Sequence, residues 1–199
     1  MFLEAVPNTD DHRNKKLVWS QKDRGSQIFL SGPSISHTGV HCENLHSMIR
    51  TTRCIHPTVK QYYFEMTVKK SGENGVIGIG LTTRSIESRN GEMPGWNNGS
   101  IGFHGDDGKI YHDSGSGMAL CEPYGAGDTI GCCLKRIEIF GKIEQFCFFT
   151  LNGIRLEPSR NLGEGDFFPT VGMGCSGAEV ETNLGQTEFM FNIPGKLAV

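Results

Sequence analysis

Residues 94–111, PGWNNGSIGFHGDDGKIY, place one histidine, His104, beside two adjacent carboxylates, Asp106 and Asp107, with glycines on either side. These side-chain types could ligate a divalent metal or carry out acid–base chemistry, so the pattern is either a site or a turn. Asp107-Gly108 falls between two short β-patterned runs, GSIGFHG and KIYHD, and Asp-Gly supplies the positive φ that a hairpin requires. A magnesium centre would need further carboxylates and a substrate cleft. The spacing therefore predicts that Asp106 and Asp107 cap backbone amides at the turn. His104, at a strand end next to Phe103, is expected to be a buried imidazole bonded to backbone.

The other candidates for chemistry are dispersed. His12, His37, His41, His46, His56 and His112 lie in different segments, and the i, i+4 pair in HTGVH does not converge on a metal without a helix. There is no G-x-S-x-G elbow to raise a serine nucleophile. Cys175, in MGCSG, is the one thiol expected on a loop, and no base adjoins it in sequence. Glu164 and Asp166, in GEGDFF, read as a solvated loop. No catalytic set, metal or cofactor is expected.

The seven cysteines, two of them adjacent at 132 and 133 and none in a C-x-x-C pair, fit no disulfide framework and read as reduced, mostly buried thiols. That predicts a cytoplasmic setting, with the nucleus as a second compartment. The first residues lack the apolar core of a signal peptide, and no run long enough to span a membrane occurs. With 19 basic and 22 acidic residues scattered along the chain, no basic stripe marks a nucleic-acid partner.

At 199 residues one domain is expected, large enough to bury roughly 70% of the surface its unfolded chain exposes. Its runs are short, β-rich and punctuated by Gly, Asn and Asp, as in KLVWS, SQIFLS, SMIRTT, QYYFEMTVKK, GVIGIGLTT, FFPTVGMG, AEVETNLG and EFMFNI, which predicts an all-β, antiparallel two-sheet sandwich. In YYFEMTV, period-two alternation puts Tyr62, Phe64, Met66 and Val68 on a wholly apolar face, with Tyr63, Glu65 and Thr67 opposite. Gly78 and Gly80 alternate with Ile77, Ile79 and Leu81, leaving room for another backbone or a large side chain over the glycine side. Hairpin turns are predicted near Gly141 and at Asn152-Gly153. Trp19 and Trp96 are expected to anchor the core with their N–H groups satisfied. Residues 1–15 read as a polar arm, 16–195 as the domain and 196–199 as a tail.

Eight blocks, YYFE, GIGL, MPGW, SIGFHGDDGKIY, YGAGDTIGCC, FFTLNG, FFPTVGM and NLGQTEFMFNI, occur in an order and spacing that resembles the SPRY domain over about residues 17–193. The likeness is greatest to the SPRY domains of Ran-binding protein M and the double-SPRY proteins. The CCLKRIEIFGKIEQFCFF hairpin is longer than in the former. The resemblance implies a concanavalin-like sandwich without catalytic activity, an adaptor that binds a peptide or protein partner through loops at one end. A place as substrate receptor in a ubiquitin ligase is one setting it implies. It also implies which loops gather: 34–41 with Ser36, His37 and His41; 83–93 with Arg84, Ile86 and Arg89; and 173–178 with Met173, Gly174 and Cys175. On that expectation Ile86 is an apolar tip between two guanidinium groups, beside a soft wall of Met173, Gly174 and Cys175. A carbohydrate-binding or glycosidase-type protein of the same fold is the alternative. It requires paired carboxylates on one sheet face.

Overall fold

The computed structural model describes residues 16–39, 46–86 and 90–193, and these are all β with no helix among them. In chain order the strands are β1 (Trp19–Arg24), β2 (Ile28–Ser31), β3 (Ser34–His37), β4 (Ser47–Thr51), β5 (Gln61–Ser71), β6 (Ile77–Thr83), β7 (Ser100–His104), β8 (Lys109–His112), β9 (Met118–Ala119), β10 (Thr129–Ile139), β11 (Lys142–Leu151), β12 (Ile154–Arg155), β13 (Arg160–Asn161), β14 (Phe167–Met173) and β15 (Ala178–Asn183). Two antiparallel sheets result. Sheet A has the order β1-β4-β14-β6-β7-β8-β9, and sheet B the order β12-β11-β10-β5-β15-β3-β2 with β13 added against β11.

The apolar face read from YYFEMTV supplies sheet B's half of the core. Phe64, Met66 and Val68 of β5 and Ile130, Cys132 and Leu134 of β10 pack with Ile77, Ile79 and Leu81 of β6, Phe103 of β7 and Val171 of β14. Each of the larger of these side chains contributes about 2 kcal/mol by leaving water. Cys132 and Cys147 lie within this core with their sulfurs 3.6 Å apart. Burial pushes the Cys132 thiol well above its ordinary range. Trp19 stands edge-on to Phe64, 6.3 Å between centroids, and its Nε1–H donates to Thr182 Oγ1 at 2.7 Å, the satisfied anchor that was expected.

Both hairpin turns fall where the sequence puts them. Phe140 and Gly141 have φ of 49° and 77°, and Asn152 and Gly153 have φ of 50° and 77°, the double positive φ of a type I′ turn. Two readings are corrected. The first half of SISHTGVH is the strand β3, paired with β2 and β15, because its alternating Ile35 faces the core. EFMFNI forms no strand. Phe189, Phe191 and Ile193 instead cross the outer face of sheet B and pack on Tyr63, Cys133 and Phe148. Tyr63 and Glu65, on the polar side of the alternation, are therefore buried as well. No helix of the described residues is long and apolar enough to cross a membrane.

Candidate ligand-binding surface

Between β6 and β7 the chain crosses the outer face of sheet A on the glycines that the sequence set out. Register aligns Gly78 with Gly172 and His104, and Gly80 with Gly102. Met93 and Pro94 sink into the space these residues leave. A Cβ on Gly172 would lie 2.6 Å from Pro94 Cδ and 2.8 Å from Met93 Sδ, and one on Gly102 would run into the Pro94 carbonyl. From below, His104 Nε2–H donates to that same Pro94 carbonyl at 2.8 Å, as expected of a buried imidazole bonded to backbone. Burial lowers the His104 pKa to about 4, so the ring is neutral at physiological pH.

The strap ends in Trp96, which corrects the expected core anchor. It is only half-buried, stands edge-on to His46 at 4.8 Å, and lies 6.0 Å from His104 and 6.5 Å from Tyr111. Its Nε1 is buried and has no acceptor among the described residues. Tyr111 stacks on His104 at 4.4 Å and donates its hydroxyl to Asp107 Oδ2 at 2.7 Å. Asp107 Oδ1 also accepts the Lys109 N–H at 3.1 Å. Burial alone would raise the Asp107 carboxyl, but the bonds from Tyr111 and Lys109 hold it below its ordinary value. Burial and the neighbouring Asp107 push Asp106 the other way. The GDDG block is thus a turn whose carboxylate braces the ring stack. Among the described residues no cluster of three His, Cys, Asp or Glu could hold a metal ion.

His46 closes the other side of Trp96. Its Cδ2 would lie 2.6 Å from a Cβ on Gly174, whose N–H donates to the Val76 carbonyl at 2.8 Å. Burial, then the nearby His37, lowers its pKa. The turn after β5 completes this end of the sandwich, since a Cβ on Gly75 would lie 4.0 Å from Asp106 Cα. The rim is therefore Val76, His46, Trp96 and the GDDG turn, with the buried Gly174 backbone covered by Val76 and His46: ring edges around one indole donor that has no acceptor among the described residues.

The residues expected to form one binding rim divide between two ends. β6 and β14 are antiparallel, with Thr83 opposite Phe167 and Ile77 opposite Met173, so the strand ends from which Arg84 and Gly174 leave the sheet lie six positions, about 20 Å, apart. Arg84 is exposed, its guanidinium 5.4 Å over the Phe168 ring. Ile86 is no tip. It is 8% exposed, and its carbonyl is held with that of Thr83 by the buried Arg50 guanidinium. At the other end Met173 faces the core, while Gly174 and Cys175 are buried. The Cys175 thiol donates to the Ser71 carbonyl at 3.4 Å, so it is neither on an open loop nor part of an exposed wall. Ser36 is half-buried in β3, between Phe29 and Glu179. His37 is buried, with Nδ1 accepting the Gly39 N–H at 3.3 Å and its carbonyl accepting the Gly177 N–H at 3.3 Å. His41 and Arg89 lie outside the described residues. Of the 83–93 segment, the far part does reach the Gly174 end, where Asn90 bridges Ser47 and the Gly91 N–H donates to the His46 carbonyl. Sequence reasoning missed His46 and misplaced Trp96. Nothing near His46 signals its role, whereas the PGW block does mark a strap.

Comparison with known proteins fits this architecture. The chain is 34% identical over 177 residues to the Ran-binding proteins 9/10 homolog of Drosophila melanogaster, covering 87% of this chain and 18% of that protein. It is 35% identical over 179 residues to Ran-binding protein 10 of Danio rerio, covering 88% and 28%. The chain thus spans less than a third of the length of these relatives. A crystal structure of a human SPRY domain superposes with a TM-score of 0.68 at 27% identity, over 81% of this chain and 98% of that one. The model of the SPRY domain matches residues 61–187, from the start of β5 to just past the end of β15, and the chain belongs to the SPRY domain family.

Proposed function

We propose that this chain is a non-catalytic adaptor that binds a peptide or protein partner through the loops at the Gly174 end of the sandwich. A SPRY fold and Ran-binding protein relatives support a protein-interaction module. The observation that carries the finer reading is the Trp96 Nε1–H, buried without an acceptor between His46 and His104 at a half-open rim. An unpaired buried donor is costly, and a partner's carbonyl or carboxylate reaching it with a small shift of the indole would recover that cost. The neutral imidazole of His46 adds a second polar edge without a charge to desolvate. A cytoplasmic or nuclear setting belongs to the same reading, and the burial of Cys132 and Cys133 as small apolar side chains supports it.

The glycosidase alternative finds a carboxylate pair on the outer face of sheet B, Glu65 on β5 and Glu181 on β15. Glu65 is committed elsewhere: it accepts the Tyr63 hydroxyl at 3.1 Å and the Met190 N–H at 3.2 Å. That favours the adaptor.

The test is affinity enrichment from cell lysate with wild type, Trp96→Phe, His46→Glu and Arg84→Glu side by side, scored by quantitative mass spectrometry. Trp96→Phe and His46→Glu are expected to lower the yield of specific interactors tenfold or more while Arg84→Glu retains it. The converse would move the binding surface to the Phe168 end.

A further inference from the structure

Residues 184–190, which follow β15, border a groove of about 780 Å3 together with Glu65, Thr67 and Glu181 from the outer face of sheet B, Val18 and Trp19 from the start of β1, and Pro33 from the β2–β3 turn. Val18 and Met190 form its apolar lips and are 52% and 55% exposed, with Trp19 and Leu184 deeper in the walls. Glu65, Glu181 and Glu188 line it, and among the described residues no Lys, Arg or His does. Glu65 is occupied in holding residue 190. Among the described residues Glu181 pairs with Lys69, at 2.7 Å, in a half-exposed contact of the kind that contributes little and exchanges readily. Apolar walls under an acidic rim select against acidic ligands and for a cation joined to an apolar group.

We propose that this groove docks an extended segment of a partner protein in which an apolar side chain is followed by lysine or arginine. The apolar side chain lies between Val18 and Met190 against the Trp19 edge. The cation displaces Lys69 and is shared by Glu181 and Glu188. The site shares no residue with the Trp96 rim and does not depend on it.

A phage-displayed library of random seven-residue peptides, panned on the full chain, tests this directly. Enriched peptides are expected to carry an apolar residue followed by Lys or Arg, and to shift the amide resonances of Thr67 and Thr182 on titration into wild type. The Glu181→Gln, Glu188→Gln double variant should weaken them tenfold or more. Lys69→Gln, which frees Glu181, should tighten them, and Trp96→Phe should change nothing. A loss confined to Trp96→Phe would place the peptides on the loop rim and overturn the groove. Absence of enrichment, enrichment of peptides without a cation, or affinity indifferent to the double variant would also overturn it. A synthetic peptide of residues 1–13 that displaces every enriched peptide at lower concentration would assign the groove to the chain's own N-terminus and likewise defeat the proposal.

Discussion

Across sheet A the 93–96 segment lies directly on a row of glycines, whereas across sheet B the 189–193 segment rests on the rings of Tyr63 and Phe148. Both straps cover an outer face, but by opposite means. Where side chains are absent, backbone falls into the sheet and takes its hydrogen bonds from it, as Pro94 does from His104. Where side chains are large, they hold the strap away. Phe189 meets Tyr63 edge-on at 4.8 Å, Phe191 meets Phe148 at 5.9 Å, and a groove opens beside them. The close strap leaves only its edge for binding, with the Trp96 N–H unpaired. The propped strap leaves a wall, a floor and a rim.

The comparison breaks most sharply at Gly102. An added methyl has nowhere to go, because the atoms it would meet all belong to Pro94, the first of them the backbone carbonyl oxygen that His104 already holds in place. Gly102→Ala is expected to destabilise the fold by about 3 kcal/mol or more, read from the urea midpoint. A variant as stable as wild type would show that the strap is not seated on the glycines.

Acid should loosen the same strap. The native state keeps His104 neutral, its pKa lowered from 6.5 to about 4 by burial, so the unfolded chain takes up the proton first as pH falls. The stability from this group is fully present above pH 6.5 and is lost progressively between 6.5 and 4, by about 3 kcal/mol at the lower limit. Denaturant midpoints across that range should fall for wild type and fall much less for His104→Gln. Equal slopes would remove His104 from the account.

The strap on sheet B should answer to Glu65. Its carboxylate accepts the Met190 N–H and the Tyr63 hydroxyl, and Glu65→Ala leaves both donors without it. The expected cost is about 2 kcal/mol, with faster hydrogen exchange at the Met190 amide. Unchanged exchange would mean that the aromatic contacts alone hold the segment.

These straps also show what was legible in the chain and what was not. The period-two pattern of residues 62–68 identifies the core face because burial on one side of a strand is a local property. It could not say that Tyr63 and Glu65, on the other side, would be buried too, because their cover arrives with Phe189 and Phe191, more than a hundred residues later in the chain. The glycine alternation in GVIGIGL announced a close neighbour without naming it. The candidate site suffered more. Loops that follow antiparallel neighbours leave at opposite ends, so Arg84 and Gly174 could not share a rim at their strand exits. Ile86 looked like an exposed tip because the Arg50 that holds its carbonyl lies 36 residues away. His46 became part of the rim only through Gly174 and Trp96, which no local pattern connects to it.

The smallest expected effect sharpens the comparison within sheet B itself, where two tight hairpins use different first residues in one backbone conformation. Asn152 at φ 50° is fitted to its turn: its Oδ1 accepts the Thr129 N–H at 2.9 Å and its Nδ2–H donates to Asp128 Oδ1 at 2.8 Å. Phe140 at φ 49° is fully exposed at the tip of the β10–β11 hairpin, so its ring gains no burial to offset a left-handed conformation that costs a side-chain-bearing residue about 1 kcal/mol. Asparagine visits that region more readily, and Asn-Gly is a favoured pair for such a turn. Phe140→Asn is therefore expected to stabilise the protein by about 0.5 to 1 kcal/mol, a rise of about 1 to 4 °C in melting temperature. The reverse exchange, Asn152→Phe, should cost about 2 kcal/mol, because it adds the conformational penalty and also removes two side-chain bonds. If Phe140→Asn gave no gain while Asn152→Phe behaved as stated, the exposed ring would be contributing a contact of its own. The hairpin tip, with Ile137, Ile139 and Ile143 also exposed around it, would then hold something in place rather than stand free.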